Sequence, residues 1–221
     1  MRYPNFGSET AVRKLTKENP PDVLVESASV WTEDFIADPD SNAKRFRYRH
    51  TEIKSALMRE TGSKCIYCES KLGHNTPGDV EHKLPTVTNP RLHFDWSNLT
   101  TACTVCNNLK RAYDDATHPF LDPYVDDVEG MLVHHGPIVG WRPDCVRAEK
   151  SVRVLGLHDH SRIELVMRKI EKLADLNEIV SRRAHEDDQL LKVLLTRKIE
   201  EMQDRSSEYS AMIVAACNAL G

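Results

Sequence analysis

Apolar residues recur every three or four positions in the last third of the chain, the spacing that places them on one face of a helix. Three such stripes follow one another: Ile163, Val166, Met167, Ile170, Leu173, Ala174 and Asn177; then Leu191, Leu195, Ile199 and Met202; then Tyr209, Met212, Ile213, Ala216 and Leu220. They predict an antiparallel helical bundle with the stripes in its core. The alternative is that a stripe binds a partner, since periodicity does not separate a core from an interface.

Upstream the pattern is less regular. Residues 1–40 are interrupted by prolines and predict an irregular arm with one amphipathic piece around Trp31. Residues 43–62 have a helical pattern that ends at Gly62, and the apolar stripe of that helix is Ile53, Ala56 and Leu57. Residues 114–130 are acidic and loop-like, and 131–141 predict a hairpin that turns at Gly136–Pro137.

Composition places the chain among globular proteins, with 221 residues, 40% hydrophobic and 29% charged. The first residues lack the apolar segment of a signal peptide, and no apolar run approaches the ~18 residues of a membrane span. We therefore expect a cytoplasmic protein with no membrane partner.

Charge is unevenly distributed. The net charge is −4, yet residues 41–113 hold 12 Lys/Arg against 6 Asp/Glu. A basic region in an acidic protein is typical of a phosphate-facing surface, although a solvated helix face would give the same count.

The cysteines carry the first chemical signal. "CIYC" (65–68) and "CTVC" (103–106) form a paired C-x2-C pattern, whose four thiolates can hold one structural zinc. Four unligated thiols or a redox C-x-x-C remain the alternatives. Cys145 and Cys217 stand alone and are predicted to be small buried hydrophobic residues.

The zinc pattern brackets a second signal. "DVEHKLP" (79–85) lies between the two pairs, and "NNLKRAYDD" follows the second pair directly. Closing the zinc site would bring Glu81 and His82 towards a helix that begins near Asn107. An oxygen ligand, a histidine and a second polar ligand would then surround one point.

These motifs resemble the HNH nuclease family, which has the ββα-metal fold. The resemblance covers about residues 60–114 and rests on C-x2-C, "DVEH", "SNL" and "CTVCNNLK". It implies that His82 is the general base, that Glu81 and Asn107 bind catalytic Mg2+ or Mn2+, and that Asn98 fixes the loop. Lys110 matches the basic residue that follows the helix ligand. Glu81 departs from the more usual Asp, and Asn107 from the more usual His.

The chemistry agrees with this resemblance. Phosphodiester hydrolysis needs an activated water and a sink for negative charge, and imidazole and Mg2+ can supply these. A carboxylate and an amide oxygen suit Mg2+. Adjacent residues on a strand point to opposite faces, so Glu81 and His82 can serve one site only if the strand ends or bends there. Asp79 shares the face of Glu81 and could support the metal site.

A finer resemblance runs over about residues 44–175 and rests on "RYRHTEIKSALMRETGSKCIYCES", "LHFDWSNLTTACTVCNNLKR" and "SVRVLGLHDHSRIELVMRKI". These segments resemble the PtuB-like HNH subunit of Septu-type and retron-associated anti-phage systems. It implies an SMC- or ABC-like ATPase partner (PtuA-like) that controls the nuclease, and we expect the flanking segments to contact it. The chain itself contains no phosphate-binding G-x-x-x-x-G-K-[ST] motif.

We therefore predict an α+β, mostly helical protein: a zinc-stapled ββα-metal core with helices on both sides. The predicted divisions are 1–60, an arm and helix; 61–120, the nuclease core; and 121–221, a linker and helical region. The predicted nucleic-acid contacts are Lys110, Arg111, Arg45, Arg47 and Arg49. Two other functions remain open: a stand-alone restriction-type HNH nuclease, and a zinc-stapled adaptor without catalysis.

Overall fold

The N-terminal third folds into helices that begin earlier than the pattern predicts. The structure, a computed structural model, describes residues 13–73, 78–111 and 113–220. Helix α1 spans Asp22–Ala37. The prediction of an irregular arm is therefore wrong for this segment, and its first twelve residues lie outside the described ranges. Pro21 occupies the N-cap of α1, so the proline pair precedes the helix and does not interrupt it.

The helix predicted over 43–62 is divided. Helix α2 spans Asn42–Arg45, a 3-10 turn covers Phe46–Arg49, and α3 spans Thr51–Glu60. The break falls at His50, whose backbone is extended and whose Nδ1 accepts from the amide of Glu52. The predicted stripe is confirmed, because Ile53, Ala56 and Leu57 are all buried. Gly62 has the left-handed conformation of a helix stop, with φ of +59°.

The central segment contains four short strands. Strand β1 (Asp79–His82) pairs antiparallel with β2 (Leu99–Ala102), and α4 (Thr104–Lys110) follows directly. The one-turn helix α5 (Val128–Met131) leads into a hairpin of β3 (Leu132–His135) and β4 (Ile138–Trp141). The predicted hairpin and its turn are thus confirmed. Helix α6 (Val146–Val154) packs on β4.

The three C-terminal helices are present and pack on one another. They are α7 (Ile163–Ala184), α8 (Gln189–Gln203) and α9 (Ser210–Leu220). The third stripe is core, since Tyr209, Met212 and Ile213 are buried; the side chain of Leu220 lies outside the described part. The second is only half-buried: Ile199 and Met202 pack on the core, whereas Leu191 is exposed.

The first stripe is only partly core. Its Leu173 packs on the core, whereas Ile163, Met167 and Ile170 are exposed. The fully buried face of α7 is formed by Leu165, Lys169 and Leu176. The hydrophobic pattern misses this face because a lysine occupies its middle. The ammonium of Lys169 lies 5.7 Å from the ring centre of Tyr209. The predicted mostly helical α+β class is nevertheless confirmed.

Two apolar clusters hold the fold together. One joins the cysteine pairs to the hairpin, α6 and the C-terminal helices. The other joins α1 and α3 to β1, β2 and the segment between those strands. Core contacts therefore cross the positions where we divided the chain, and those divisions stay a prediction. None of the helices in the described residues is long and apolar enough to cross a membrane.

Candidate active site

The four paired cysteines lie together next to the β1–β2 sheet, where strand β2 ends and Cys103 follows. Their sulfurs are within 4.8 Å of one another, and Cys68 Sγ lies 3.8 Å from Cys103 Sγ. Four thiolates about 2.3 Å from a tetrahedral zinc are about 3.8 Å apart, so the cluster has the dimensions of a zinc site. All four cysteines are buried. Such a site is closed, because no coordination position is left for a substrate.

A cation compensates the charge of this cluster. Both terminal nitrogens of Arg162 lie 3.6 Å from Cys106 Sγ, and one of them also donates to the carbonyl of Leu155 at 2.7 Å. Four thiolates on Zn2+ would carry a formal charge of −2 in a buried place, which is costly without such a partner. The donor set therefore fits zinc, and Arg162 connects it to the start of α7.

His82 is the last residue of strand β1, so the strand ends at the point that a shared site requires. Its Nε2 lies 2.9 Å from the carbonyl oxygen of His93, and a carbonyl only accepts, so Nε2 carries the proton. Nδ1 then presents a lone pair, and it makes no hydrogen bond to any described residue. Burial lowers the pKa of His82 to about 4, and nearby cations, Arg45 and Lys110 among them, act in the same direction. The ring is therefore neutral at physiological pH, as a general base requires.

Glu81, the residue before His82, contacts helix α4. Its Oε1 lies 2.8 Å from Lys110 Nζ and 3.4 Å from the Tyr67 hydroxyl. The same ammonium donates to the carbonyl of His82 at 2.9 Å. Burial raises the pKa of Glu81, and the charge of Lys110 opposes this rise. Both bonds use Oε1, so Oε2 keeps its acceptor capacity.

Asn107 also faces β1 from the first turns of α4. Its Nδ2 donates to Asp79 Oδ2 at 3.5 Å, which leaves the amide oxygen of Asn107 as an acceptor. Oxygen donors from Asp79, Glu81 and Asn107 therefore border one strand, and this chemistry fits a hard cation such as Mg2+. Within the described ranges, His, Cys, Asp and Glu side chains form no second group close enough to hold a metal. The magnesium ligands stay a prediction.

Asn98 holds the loop that joins β1 to β2. Its Oδ1 accepts from the amide of Leu84 at 2.7 Å, while Nδ2 donates to the carbonyls of Leu84 and Leu92 at 3.1 and 3.2 Å. The side chain is buried. The side chain thus ties Leu84 to Leu92 within the loop, and its role in catalysis stays a prediction.

The predicted nucleic-acid contacts fall into two groups. Arg45, Arg49 and Arg111 are exposed. No carboxylate among the described residues lies within ion-pair distance of Arg45 or Arg49, which instead cover the ring of Phe46. Arg47 is bound to Asp34 at 2.7 Å. Lys110 is buried in its pair with Glu81, so it is not free for phosphate.

One residue of the site is missing from the sequence prediction. His93 supplies the carbonyl that holds His82, and its ring lies 4.8 Å from the His82 ring in a stacked arrangement. The chain has 10 histidines, and His93 has no partner at ligand spacing that would single it out. Its neighbours come from α1 and the 3-10 turn, which are distant in sequence.

Comparison with known proteins agrees with this geometry. Residues 65–112 match the family model described as HNH endonuclease. The chain is 33% identical over 113 residues to the Septu protein PtuB of Bacillus thuringiensis. That match covers 51% of this chain and 42% of PtuB, so the chain spans less than half the length of this relative. The residues that match the HNH endonuclease model, 65–112, thus include both cysteine pairs, His82 and Asn107.

Proposed function

We propose that this chain is a metal-dependent endonuclease that hydrolyses phosphodiester bonds in nucleic acid. The observation that supports this most strongly is the state of His82. Its ring is neutral, its Nε2 is fixed on the carbonyl of His93, and its Nδ1 is free to accept a proton. It is the last residue of β1, and it directly follows Glu81, so the strand ends where the two side chains would have to meet at one site.

In the proposed mechanism, His82 Nδ1 accepts a proton from the attacking water. Glu81 and Asn107 would hold Mg2+ or Mn2+, which supplies a sink for the charge that develops on the phosphate and the leaving oxygen. The charge of Lys110, 2.8 Å from Glu81 Oε1, opposes the rise that burial causes in the pKa of Glu81. Asn98 keeps the loop in place, so that the His93 carbonyl stays on His82. The zinc has a structural role only.

The substrate would approach past the 3-10 turn of residues 46–49. Arg45 and Arg49 are exposed and lack a carboxylate partner among the described residues, so their charge is available to the phosphate backbone. Arg45 is also one of the cations that affect the pKa of His82, which places its charge near the site of chemistry.

We further propose that the nuclease acts in the cytoplasm as the effector of an anti-phage system, under an ATPase partner. The similarity to the Septu protein PtuB supports this. Exposed apolar side chains on α7 and α8 offer a contact surface in the flanking region, among them Met167, Ile170, Leu190 and Val193. Co-expression with a neighbouring ATPase and size-exclusion chromatography of the full chain would test the contact. Charged substitutions at Leu190 and Val193 should abolish co-elution.

The activity is tested by incubating the purified full chain with labelled DNA and RNA, with Mg2+, with Mn2+ and with EDTA. His82→Ala should abolish cleavage while the melting temperature stays near that of the wild type. The matched control is His160→Ala, because the side chain of His160 is fully exposed and lies outside the nuclease domain. Cleavage by His82→Ala at the wild-type rate would refute the assignment.

The same experiment separates the other two functions. Cleavage that needs no partner would favour a restriction-type nuclease. No cleavage by the wild type with either metal, with or without the ATPase, would favour a zinc-stapled adaptor.

A further inference from the structure

The ring of His82 is one member of a stack of three rings. His93 lies in the middle, with its ring centre 4.8 Å from that of His82 and an angle of 21° between the planes. On its other side, Phe35 of α1 stacks at 3.9 Å and 14°. Tyr48 closes the side of the stack edge-on, 4.7 Å from His82 and 5.2 Å from His93. The stack therefore restricts the motion of the His82 ring from two directions.

The middle ring is itself fixed. His93 Nε2 lies 2.7 Å from the carbonyl oxygen of Arg45 and so donates to it, while Nδ1 lies 3.1 Å from the hydroxyl of Thr86. Only 3% of His93 is exposed. Both ring nitrogens therefore already have a hydrogen-bond partner within the protein, and neither is free to accept or give up a proton. A buried polar ring whose bonds are all made to protein groups serves position and not proton transfer.

We propose that the His93 side chain is a positioning residue for His82, which it holds between its own ring and its own carbonyl oxygen. The expected effect on the cleavage rate rests on the proposed function, whereas the expected effect on the orientation of the His82 ring does not. The carbonyl selects the tautomer with the proton on Nε2, and the flat face of the His93 ring fixes the angle of the His82 ring about its Cα–Cβ and Cβ–Cγ bonds. Helix α1, through Phe35, is then a support of the active site.

Two substitutions at His93 distinguish the effect of its flat ring from the effect of its volume and hydrogen bonds. His93→Leu keeps much of the volume but removes the flat face and both anchoring bonds. His93→Phe restores a flat ring between Phe35 and His82. The matched control is Trp141→Leu, which removes an aromatic ring of β4 that packs on His158, with both residues outside the segment 65–112.

The first readout is the tautomer of His82 in the full-length protein labelled with 15N-histidine. Two-bond proton–nitrogen spectra distinguish the two tautomers, and the signal that disappears in His82→Gln assigns the residue. The second readout is the split between kcat and KM on labelled DNA or RNA. A purely structural role of His93 would lower the folded fraction without changing the tautomer of the folded molecules.

We expect the wild type to show a single Nε2-protonated form. Leucine keeps the backbone carbonyl, but without the flat ring and its two anchoring bonds the His82 ring can turn away from that carbonyl, so His93→Leu should give mixed tautomers. Its kcat should be lower by at least about tenfold, with KM changed less than about twofold, because a small misplacement of a catalytic group is costly. His93→Phe should restore the single tautomer and most of kcat. Trp141→Leu should change neither readout.

A His93→Leu protein with the wild-type tautomer and the wild-type kcat would overturn the proposal. So would a loss of kcat without a change of tautomer. If His93→Leu does not fold, Phe35→Leu tests the same stack from behind and should broaden or mix the His82 signals, and an unchanged spectrum would overturn the proposal. If the wild type cleaves no nucleic acid, the proposed function fails, and the spectra still decide the positioning role.

Discussion

Replacing Asn98 by Ala should destabilise the protein and inactivate the site through one loop. The Asn98 side chain makes three hydrogen bonds to the backbone of Leu84 and Leu92, between 2.7 and 3.2 Å long. Its own carbonyl accepts from the amide of Lys83 at 2.8 Å, which closes the loop at its base. Alanine keeps that backbone bond and loses the other three.

The expected cost follows from the burial of those groups. A typical hydrogen bond contributes roughly 1 kcal/mol net, and a buried group left without a partner costs roughly 1–3 kcal/mol. Asn98 is only 3% exposed, but Leu84 is exposed, so water can replace part of the loss at its amide and carbonyl. We therefore expect a decrease of about 3 kcal/mol in the free energy of unfolding. That is a large part of the roughly 5–15 kcal/mol available to a domain.

Urea denaturation of the zinc-loaded protein measures this change. The matched control is Asn89→Ala in the same loop, because Asn89 is exposed and its side chain makes only a 3.4 Å bond to the hydroxyl of Thr88. It should change stability by less than about 0.5 kcal/mol. Cleavage by Asn98→Ala should fall further than its folded fraction, because the loop also carries the His93 carbonyl. A loss below about 1 kcal/mol, or a rate that tracks the folded fraction, would refute this reasoning.

Three further predictions concern charged groups. Arg162→Leu should weaken zinc retention by roughly 10–100-fold in competition with a chromogenic chelator, because Cys106 loses its guanidinium partner; equal retention would contradict this. Glu81→Ala should cost roughly 3–5 kcal/mol by leaving Lys110 buried and unpaired, and adding Lys110→Met should restore much of the stability without restoring cleavage. Burial lowers the pKa of Lys17 to about 8, below its unfolded value, so the folded state binds fewer protons than the unfolded state above that pH. Stability relative to Lys17→Met should therefore rise between pH 8 and about 10.4, and a flat or falling difference in denaturation curves would show that the sign is wrong.

The sequence predicts the metal centre and the strand–helix unit well because their signals are local. The two C-x2-C pairs, the Glu81–His82 pair and Asn107 lie within one family motif, and the structure brings the cysteines to zinc-like distances. The break of β1 after His82 is also visible in the sequence, through Pro85. In each case a short segment fixes its own geometry, so few long-range contacts are needed to predict it.

The buried face of α7 could not be predicted in the same way. Its pattern favours Ile163, Met167 and Ile170 as core residues, whereas the helix buries Lys169 beside the ring of Tyr209. The charge of Cys68 also acts on Lys169 in the fold, and raises its pKa against the lowering by burial. A hydrophobic pattern counts this lysine as polar, since the attraction of buried thiolates is a property of the fold and not of the helix.

The helical structure of the N-terminal segment was also not predicted from local patterns. Its contacts show how it supports the segment that matches the HNH model. Lys17 donates to the carbonyl of Leu99 in β2 at 2.8 Å and to Glu60 at 2.9 Å, and its ammonium lies 3.6 Å from the ring centre of Trp96. Phe35, farther along the same segment, stacks on His93. One contact holds the second strand of the sheet, and the other reaches the ring that touches His82. Residues before position 40 thus contact both strand β2 and the ring of His93, which lies against His82. A fragment limited to residues 65–112 would lose both contacts.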